Sequence, residues 1–303
     1  MEPLGGLDTR LLVDLLRDRI SPSKSLGQHY LVDDEVIERT IRLTEEFDSS
    51  LSDDSHVLEV GPGPGSLTLA LLRSDSNVTA IEIDKRSVEH LTRVFLESKE
   101  SLTIEQADAV SERWPKGITH VISNLPYQIS SPIVDRITKY HSTEPIQLSI
   151  LLVQEEFAQR MAMFSAPYDI GPLGLNLWLD FDVSMDMKVS PSSFSPSPRV
   201  QSRLVVLKPA SRPEADGMNK QLFRIITRHC FSNRRRKMRT LLSKPPSRIS
   251  RVSGWHRDRW TKSASKLLSS NHPELEDGWA DLRPENLEPI DWITIVAAIS
   301  SDG

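Results

Sequence analysis

At 303 residues, with 38% hydrophobic and 26% charged residues, the chain has the make-up of a soluble globular protein with room for one large domain and a smaller one. No apolar run reaches the ~18 residues that a membrane-spanning helix needs, the mixed acids and bases of residues 1–26 do not make a secretory or transit signal, and the single cysteine, Cys230, excludes an internal disulfide and a zinc site built on several thiolates. The net charge of -5 hides a segregation, since residues 208–266 hold 17 Lys and Arg against 3 Asp and Glu while residues 267–303 hold 1 against 8; a chain divided this way offers a basic face to a polyanion beside an acidic remainder.

In chain order, residues 21–34 are turn-like with embedded aromatic and apolar residues, and a helix is expected over 35–47. A strand at 56–60 runs straight into Gly61-Pro62-Gly63-Pro64-Gly65, followed by helical character at 67–72. A buried strand over 77–83, a helix over 88–96 and a third strand over 102–106 come next. The fourth strand, 120–122, ends at Ser123-Asn124, and a helix follows over 132–140. An apolar strand at 147–153, a helix over 154–164 and late strands at 178–187 and 202–207 complete the pattern. Strands alternating with helices predict an α/β protein whose parallel sheet is covered on both faces, and right-handed crossovers make that sheet doubly wound. Lys208-Pro209 and the following Ser-Arg-Pro-Glu-Ala-Asp-Gly read as a linker. The expected division is therefore a sheet domain over 1–207 and a smaller, mainly helical, basic domain over 208–303. Cys230 is expected as a small buried apolar residue.

Ligands of such sheets sit at the carboxyl ends of the strands, near the switch point. Three successive strand ends carry suitable groups. The glycine turn that opens at Gly61 lets main-chain atoms approach a ligand closely. Glu82 stands 21 residues after Gly61, where an acid can accept from both ribose hydroxyls of a nucleoside. Asp108 follows the third strand and can accept from an adenine amino group, or cap a turn. These features also suit a nicotinamide dinucleotide, but the third glycine of that fingerprint is missing.

The fourth strand end carries chemistry that hydride transfer does not need: Ser123-Asn124-Leu125-Pro126-Tyr127. The amino group of adenine is a poor nucleophile because its lone pair is delocalised into the ring. Two acceptors on its protons favour a more tetrahedral nitrogen and aim the lone pair at a methyl sulfonium. The Asn124 side-chain oxygen is one such acceptor, and the main-chain carbonyl of Leu125 or Pro126 is the other. Pro126 stiffens the loop, and Tyr127 supplies a surface on which a base can stack. No strong general base is required, so orientation and local electrostatics carry the catalysis. A base stacked in RNA must first be splayed into such a pocket. Phe194, framed by Pro191, Pro196 and Pro198, is expected to present its ring to the other face of that base.

In these motifs the chain resembles the ribosomal small-subunit RNA adenine dimethyltransferases, over nearly its whole length. Leu26-Gly27-Gln28-His29-Tyr30-Leu31, the glycine turn, Ile81 to Asp84, Asp108-Ala109, the stretch from Asn124 to Ile133, Glu156 to Met161, the Phe194 loop, Asn233 to Leu242 and Arg283 to Leu287 follow in order. The resemblance implies a Rossmann-like methyltransferase sheet with S-adenosylmethionine as methyl donor. It places that donor against His29, Leu31, Gly61, Glu82, Asp108 and Asn124, and the target adenine against Asn124, Pro126, Tyr127 and Phe194. It implies two methyl groups on each of two adjacent adenines near the 3′ end of small-subunit ribosomal RNA, in the cytoplasm, with no metal, membrane or DNA involved. Arg234, Arg235, Arg236, Lys237 and Arg239 are then expected on a helix that contacts RNA phosphates. Arg248, Arg251, Arg257 and Arg259 extend this surface, while Trp255 and Trp260 either join it or pack inside the small domain. Two departures are visible. His29-Tyr30 stands where the family commonly has Asn-Phe, and Tyr168 to Gly174 replaces the usual Tyr-Gly-Arg-Leu-Ser run. The same fold also serves large-subunit RNA methylases and non-catalytic ribosome-assembly factors, and the intact Asn124–Tyr127 loop argues against the latter.

Overall fold

The computed structural model describes residue 4 and residues 6–18, 27–270 and 272–301. Leu26 and the first part of the turn-like 21–34 segment lie outside these residues. The strands, in chain order, are β1 (Tyr30–Leu31), β2 (His56–Val60), β3 (Asn77–Glu82), β4 (Leu102–Gln106), β5 (His120–Asn124), β6 (Leu148–Gln154), β7 (Phe181–Val189), β8 (Phe194–Ser195) and β9 (Ser202–Pro209). The helices are α1 (Thr9–Arg17), α2 (Asp34–Glu46), α3 (Ser66–Arg73), α4 (Lys85–Val94), α5 (Ser130–His141), α6 (Glu155–Ala162), α7 (Pro172–Trp178), α8 (Lys220–Phe231), α9 (Met238–Leu242), α10 (Arg257–Ser269) and α11 (Pro289–Ser300).

Seven strands form one sheet in the order β4-β3-β2-β5-β6-β9-β7. β4, β3, β2, β5 and β6 run parallel, and β9 pairs antiparallel with β6. The expected doubly wound sheet is thus present, finished by an antiparallel return at one edge. Its central strands are almost continuously apolar, as a sheet buried on both faces demands: Val57, Leu58 and Val60 in β2, and every residue from Leu148 to Val153 in β6, are buried. The order reverses between β2 and β5, the switch point at which such sheets open a crevice. Local chemistry starts the helices on cue. Asp33 caps α2 by accepting from Glu35 N (3.1 Å), and Asp84 caps α4 by accepting from Arg86 N (3.0 Å).

The chain divides into two compact units, and the division differs from the expected cut after 207. The sheet unit comprises the chain up to Ala158 together with Asp182–Pro209, while Gln159–Phe181 joins the chain from Ala210 onward in a helical unit. The reason is packing: Ile170, Leu175 and Leu179 are buried in the same apolar cluster as Leu222, Phe223 and Ile226. Lys220 also pairs with Asp180, and Ala210 N donates to Asp180 O (2.9 Å). Residues 172–178, part of which was expected as strand, are helical; Pro172 sits in the first turn, where its missing N–H costs nothing.

In the helical unit, Trp260 and Trp292 are fully buried and Trp255 nearly so. The tryptophans therefore belong to the core, where truncating one costs about 3–5 kcal/mol. Trp260 Nε1 donates to Leu242 O (3.0 Å) and Arg259 stacks over the Trp255 ring (4.4 Å), whereas Trp292 Nε1 is buried without a hydrogen-bond partner among the described residues. Cys230 is buried as expected, and that burial pushes its thiol pKa up. The helix expected across Asn233–Leu242 is interrupted. α8 ends at Phe231, residues 232–236 turn, and only Met238–Leu242 is helical. On a continuous helix Arg234 and Lys237, Arg236 and Arg239, and Arg235 and Arg239 would stand as like charges at i,i+3 or i,i+4, which disfavours it. The break also lets Met238, Leu241 and Leu242 bury. No helix among the described residues is long and apolar enough to cross a membrane.

Candidate active site

A cavity opens at the carboxyl ends of β2, β3, β4 and β5, all within the sheet unit, and its lining includes His29, Leu31, Gly61, Glu82, Asp108, Asn124, Pro126 and Tyr127. The register of the parallel strands sets the positions of the acids and Asn124. Glu59 pairs with Ala80, Glu82 with Gln106 and Asn124 with Leu152, so neighbouring strands end at similar heights and deliver their last residues to one rim. The turn after β2 requires glycine for two reasons. Gly61 and Gly63 have φ +69° and +56°, a region that other residues enter only at a cost. A Cβ would also come within 3.2 Å of the Pro126 ring at Gly61, and within 3.1 Å of the Tyr30 ring at Gly63.

Glu82 is buried, yet its carboxylate is not spent. One oxygen accepts from Gly63 N (3.2 Å) and the other from Asp84 N (2.9 Å), which leaves further lone pairs on each. Burial pushes its pKa up, against the lowering effect of those two amides. Tyr30, whose hydroxyl donates to Gln28 Oε1 (3.1 Å), has its own pKa raised by burial first and by Glu82 second. Asp108 is exposed and does two jobs. It lines the cavity, and it closes its own turn by accepting from Val110 N (2.9 Å). Glu59, also in the lining, is buried and accepts from Thr68 Oγ1 (2.6 Å); desolvation pushes its pKa up to about 8.

The side chain of Asn124 is oriented by the main chain. Its Nδ2 donates to His29 O (3.2 Å). A carbonyl can only accept, so the amide nitrogen must face it and Oδ1 must point the other way. Pro126 O is engaged by Ile129 N (3.0 Å) and Ser130 Oγ (3.3 Å) at the start of α5. Tyr127 is held by a hydrogen bond between its hydroxyl and Ser202 Oγ (2.7 Å), and burial raises its pKa.

One expected residue is corrected. Phe194 does not line the cavity; it is 3% exposed and packs in the apolar core of the sheet unit. The two-residue pairing of β1 with β8 sets Phe194 opposite Leu31 and commits its ring to that core. The ring that stands beside Tyr127 is instead that of His29, with centroids 5.6 Å apart and planes 28° from parallel. His29 Nδ1 donates to Pro196 O (2.7 Å), so the proline-framed loop fixes a ring from the other end of the unit's sequence. Gln28, Tyr30 and Glu59 line the cavity but had no assigned role in the sequence, although Gln28 and Tyr30 lie in the Leu26–Leu31 motif. Of the expected phosphate-binding run, Arg234 pairs with Glu285 (3.7 Å), Lys237 with Asp281 (2.9 Å) and Arg239 with Asp281.

A sheet of this order, with a glycine turn after its central strand, an acid ending the next and Asn-Leu-Pro-Tyr at the fourth, is that of an S-adenosylmethionine-dependent methyltransferase. The fold agrees with a dimethyladenosine transferase from Plasmodium falciparum (TM-score 0.71, 23% identity, 90% of this chain and 98% of that one). It agrees also with the 23S rRNA methyltransferase ErmE (TM-score 0.62, 22% identity, 89% and 98%). Residues 21–252 match the ribosomal RNA adenine dimethylase family, and the chain belongs to that family. A probable ribosomal RNA small subunit methyltransferase A from Methanopyrus kandleri is 32% identical over 93% of this chain and 94% of its own length. A ribosomal RNA small subunit methyltransferase A from Nitrosomonas europaea is 32% identical over 74% and 84%.

Proposed function

We propose that this chain methylates the N6 amino groups of two adjacent adenines near the 3′ end of small-subunit ribosomal RNA, to N6,N6-dimethyladenosine, during ribosome biogenesis. The observation that carries this reading is the orientation of Asn124: with Nδ2 committed to His29 O, Oδ1 is left to accept from an adenine amino group. The residues present fit S-adenosylmethionine. The turn at Gly61 and Gly63 adds no side chain to the cavity wall, Glu82 has lone pairs left for ribose hydroxyls, and Asp108 has capacity for an adenine amino group. His29, Leu31 and Asn124 complete that wall of the cavity. When bound, the donor supplies an electrophilic methyl group on a sulfonium.

The protein's part is orientation. Pro126 O is already taken by α5, so the Leu125 carbonyl is the second acceptor for the target amine. Two acceptors on its two protons turn the nitrogen lone pair toward the methyl carbon. An aligned, desolvated pair of this kind supplies a large part of the rate enhancement without a general base. Tyr127 stacks on the base. One lost proton per transfer passes to solvent. A second methylation needs only one remaining N–H, so either acceptor alone still aims the monomethylated amine. A chain with one cysteine suits a reducing compartment, which supports the cytoplasm as the site of the reaction. The test is incubation of the protein and S-adenosylmethionine with undermethylated small subunits, followed by mapping of modified nucleotides. Dimethylation of two adjacent adenines near the 3′ end is expected. Methylation confined to large-subunit RNA, or binding of the donor without transfer to any RNA, would overturn the reading.

A further inference from the structure

The basic character of the helical unit is not where its densest cluster of cations lies. In the 234–239 run, Arg234, Lys237 and Arg239 already hold carboxylates from the acidic C-terminal segment. A second group of cations in the same unit is built differently. α8 carries Gln221, Arg224 and Arg228 at i, i+3 and i+7, which places them on one stripe. Leu222, Phe223, Ile226 and Cys230 on the same helix are buried in the core. The facing wall is Ser247 and Arg248, with Arg251 beyond them, on the turn stiffened by Pro245 and Pro246. Gln221 Nε2 donates to Arg251 O (3.0 Å) and ties the two walls together. The groove between them measures about 320 Å³, and no Asp or Glu lines it. Arg224, Arg248 and Arg251 form no ion pair among the described residues.

We propose that this groove seats successive backbone phosphates of the RNA substrate, and that it, rather than the 234–239 run, is the main electrostatic anchor of the helical unit. The proposal rests on the RNA-methylation reading above. Guanidinium groups present planar donor forks that match phosphate oxygens. Cations with no carboxylate to shed gain the full benefit of releasing condensed counterions from RNA, whereas paired ones first give up a partner. A groove also excludes more water than a convex surface, which strengthens each contact. Contacts of this kind set the position of the RNA rather than read its sequence.

The experiment compares two triple variants of the full chain, Arg224→Gln/Arg248→Gln/Arg251→Gln and Arg234→Gln/Lys237→Gln/Arg239→Gln, the second removing the carboxylate-paired cations of the run. Affinity for protein-free small-subunit RNA and for undermethylated small subunits is measured across a salt series. The groove variant is expected to lose at least about tenfold in affinity at low salt, and its log–log salt slope to flatten by roughly two to three. The run variant should flatten that slope by less. Circular dichroism and binding of S-adenosylmethionine confirm that the fold survives, and the single charge reversal Arg248→Glu on the exposed turn repeats the test if the triple variant does not fold. A groove variant with the wild-type slope on both substrates overturns the proposal. So does a loss seen on subunits but not on naked RNA, which would make the occupant an acidic protein. If the wild-type chain methylates small subunits while the groove variant binds normally, only this proposal falls. If the wild-type chain modifies no RNA, the functional reading falls with it.

Discussion

The strand-end cavity and the cationic surface of the helical unit are assembled by different means. Around the cavity, short side chains and bare main chain stand where strand register puts them: Glu82 on Gly63 and Asp84 amides, Asn124 on a carbonyl of residue 29. Across the helical unit, long arginines and lysines project from helices and turns, and tertiary placement decides which of them are already neutralised. A motif on a register-fixed rim keeps its position when read from sequence. The role of a run of like charges cannot be read so, because it depends on what the rest of the chain folds against it.

The largest test of this contrast is Asn124→Ala. Methyl transfer should fall about 10²–10³-fold, as when an oriented hydrogen-bonding group is removed from an active site, with an unchanged circular dichroism spectrum. Retained activity would show that the rim does not aim the amine. Next is Glu82→Ala, for which calorimetric titration should show donor affinity reduced about 10- to 100-fold, the worth of hydrogen bonds to a charged acceptor. Unaltered affinity would remove the nucleoside from this cavity. Glu59 sharpens the contrast through pH. Its folded pKa, about 8, lies above its ordinary value of 4.5, so the folded state holds a proton that the unfolded chain has lost between those values. Stability should therefore fall as pH rises through that window, by up to about 1.4 kcal/mol per pH unit. Thermal melts of Glu59→Gln should lack this component; parallel melts of variant and wild type would contradict it. The smallest effect belongs to the exposed cations. Asp281→Asn frees Lys237 and Arg239 and should steepen the salt dependence of RNA binding by about one at most. A pronounced gain in affinity would restore the 234–239 run to the leading role.

Much of the sheet unit was legible beforehand. Apolar strands, the glycine turn and the acid spaced from it give their own positions, because each follows from backbone geometry within a few residues. The Asn124 loop was legible for the same reason, although the choice between the Leu125 and Pro126 carbonyls was not. That choice depends on how α5 begins, where Ile129 N and Ser130 claim one of the two. Phe194 was misread because its environment is set by β1, far away in the chain. The proline frame around it predicted a stiff loop correctly but not which ring that loop would present, and the His29 side chain fills the place instead. Residues 159–181 were assigned to the sheet domain because their apolar residues carry no label saying which core they enter. The acidic C-terminal segment, unexplained in the sequence, supplies the carboxylates that Arg234, Lys237 and Arg239 hold.

What steers Asn124 belongs to every amino acid alike. Because the steering group at position 29 is a peptide oxygen, the imidazole there is left for a separate task, bonding the Pro196 carbonyl and standing beside the Tyr127 ring. A replacement of that ring changes the cavity wall next to Tyr127 while leaving in place the carbonyl that holds the Asn124 amide.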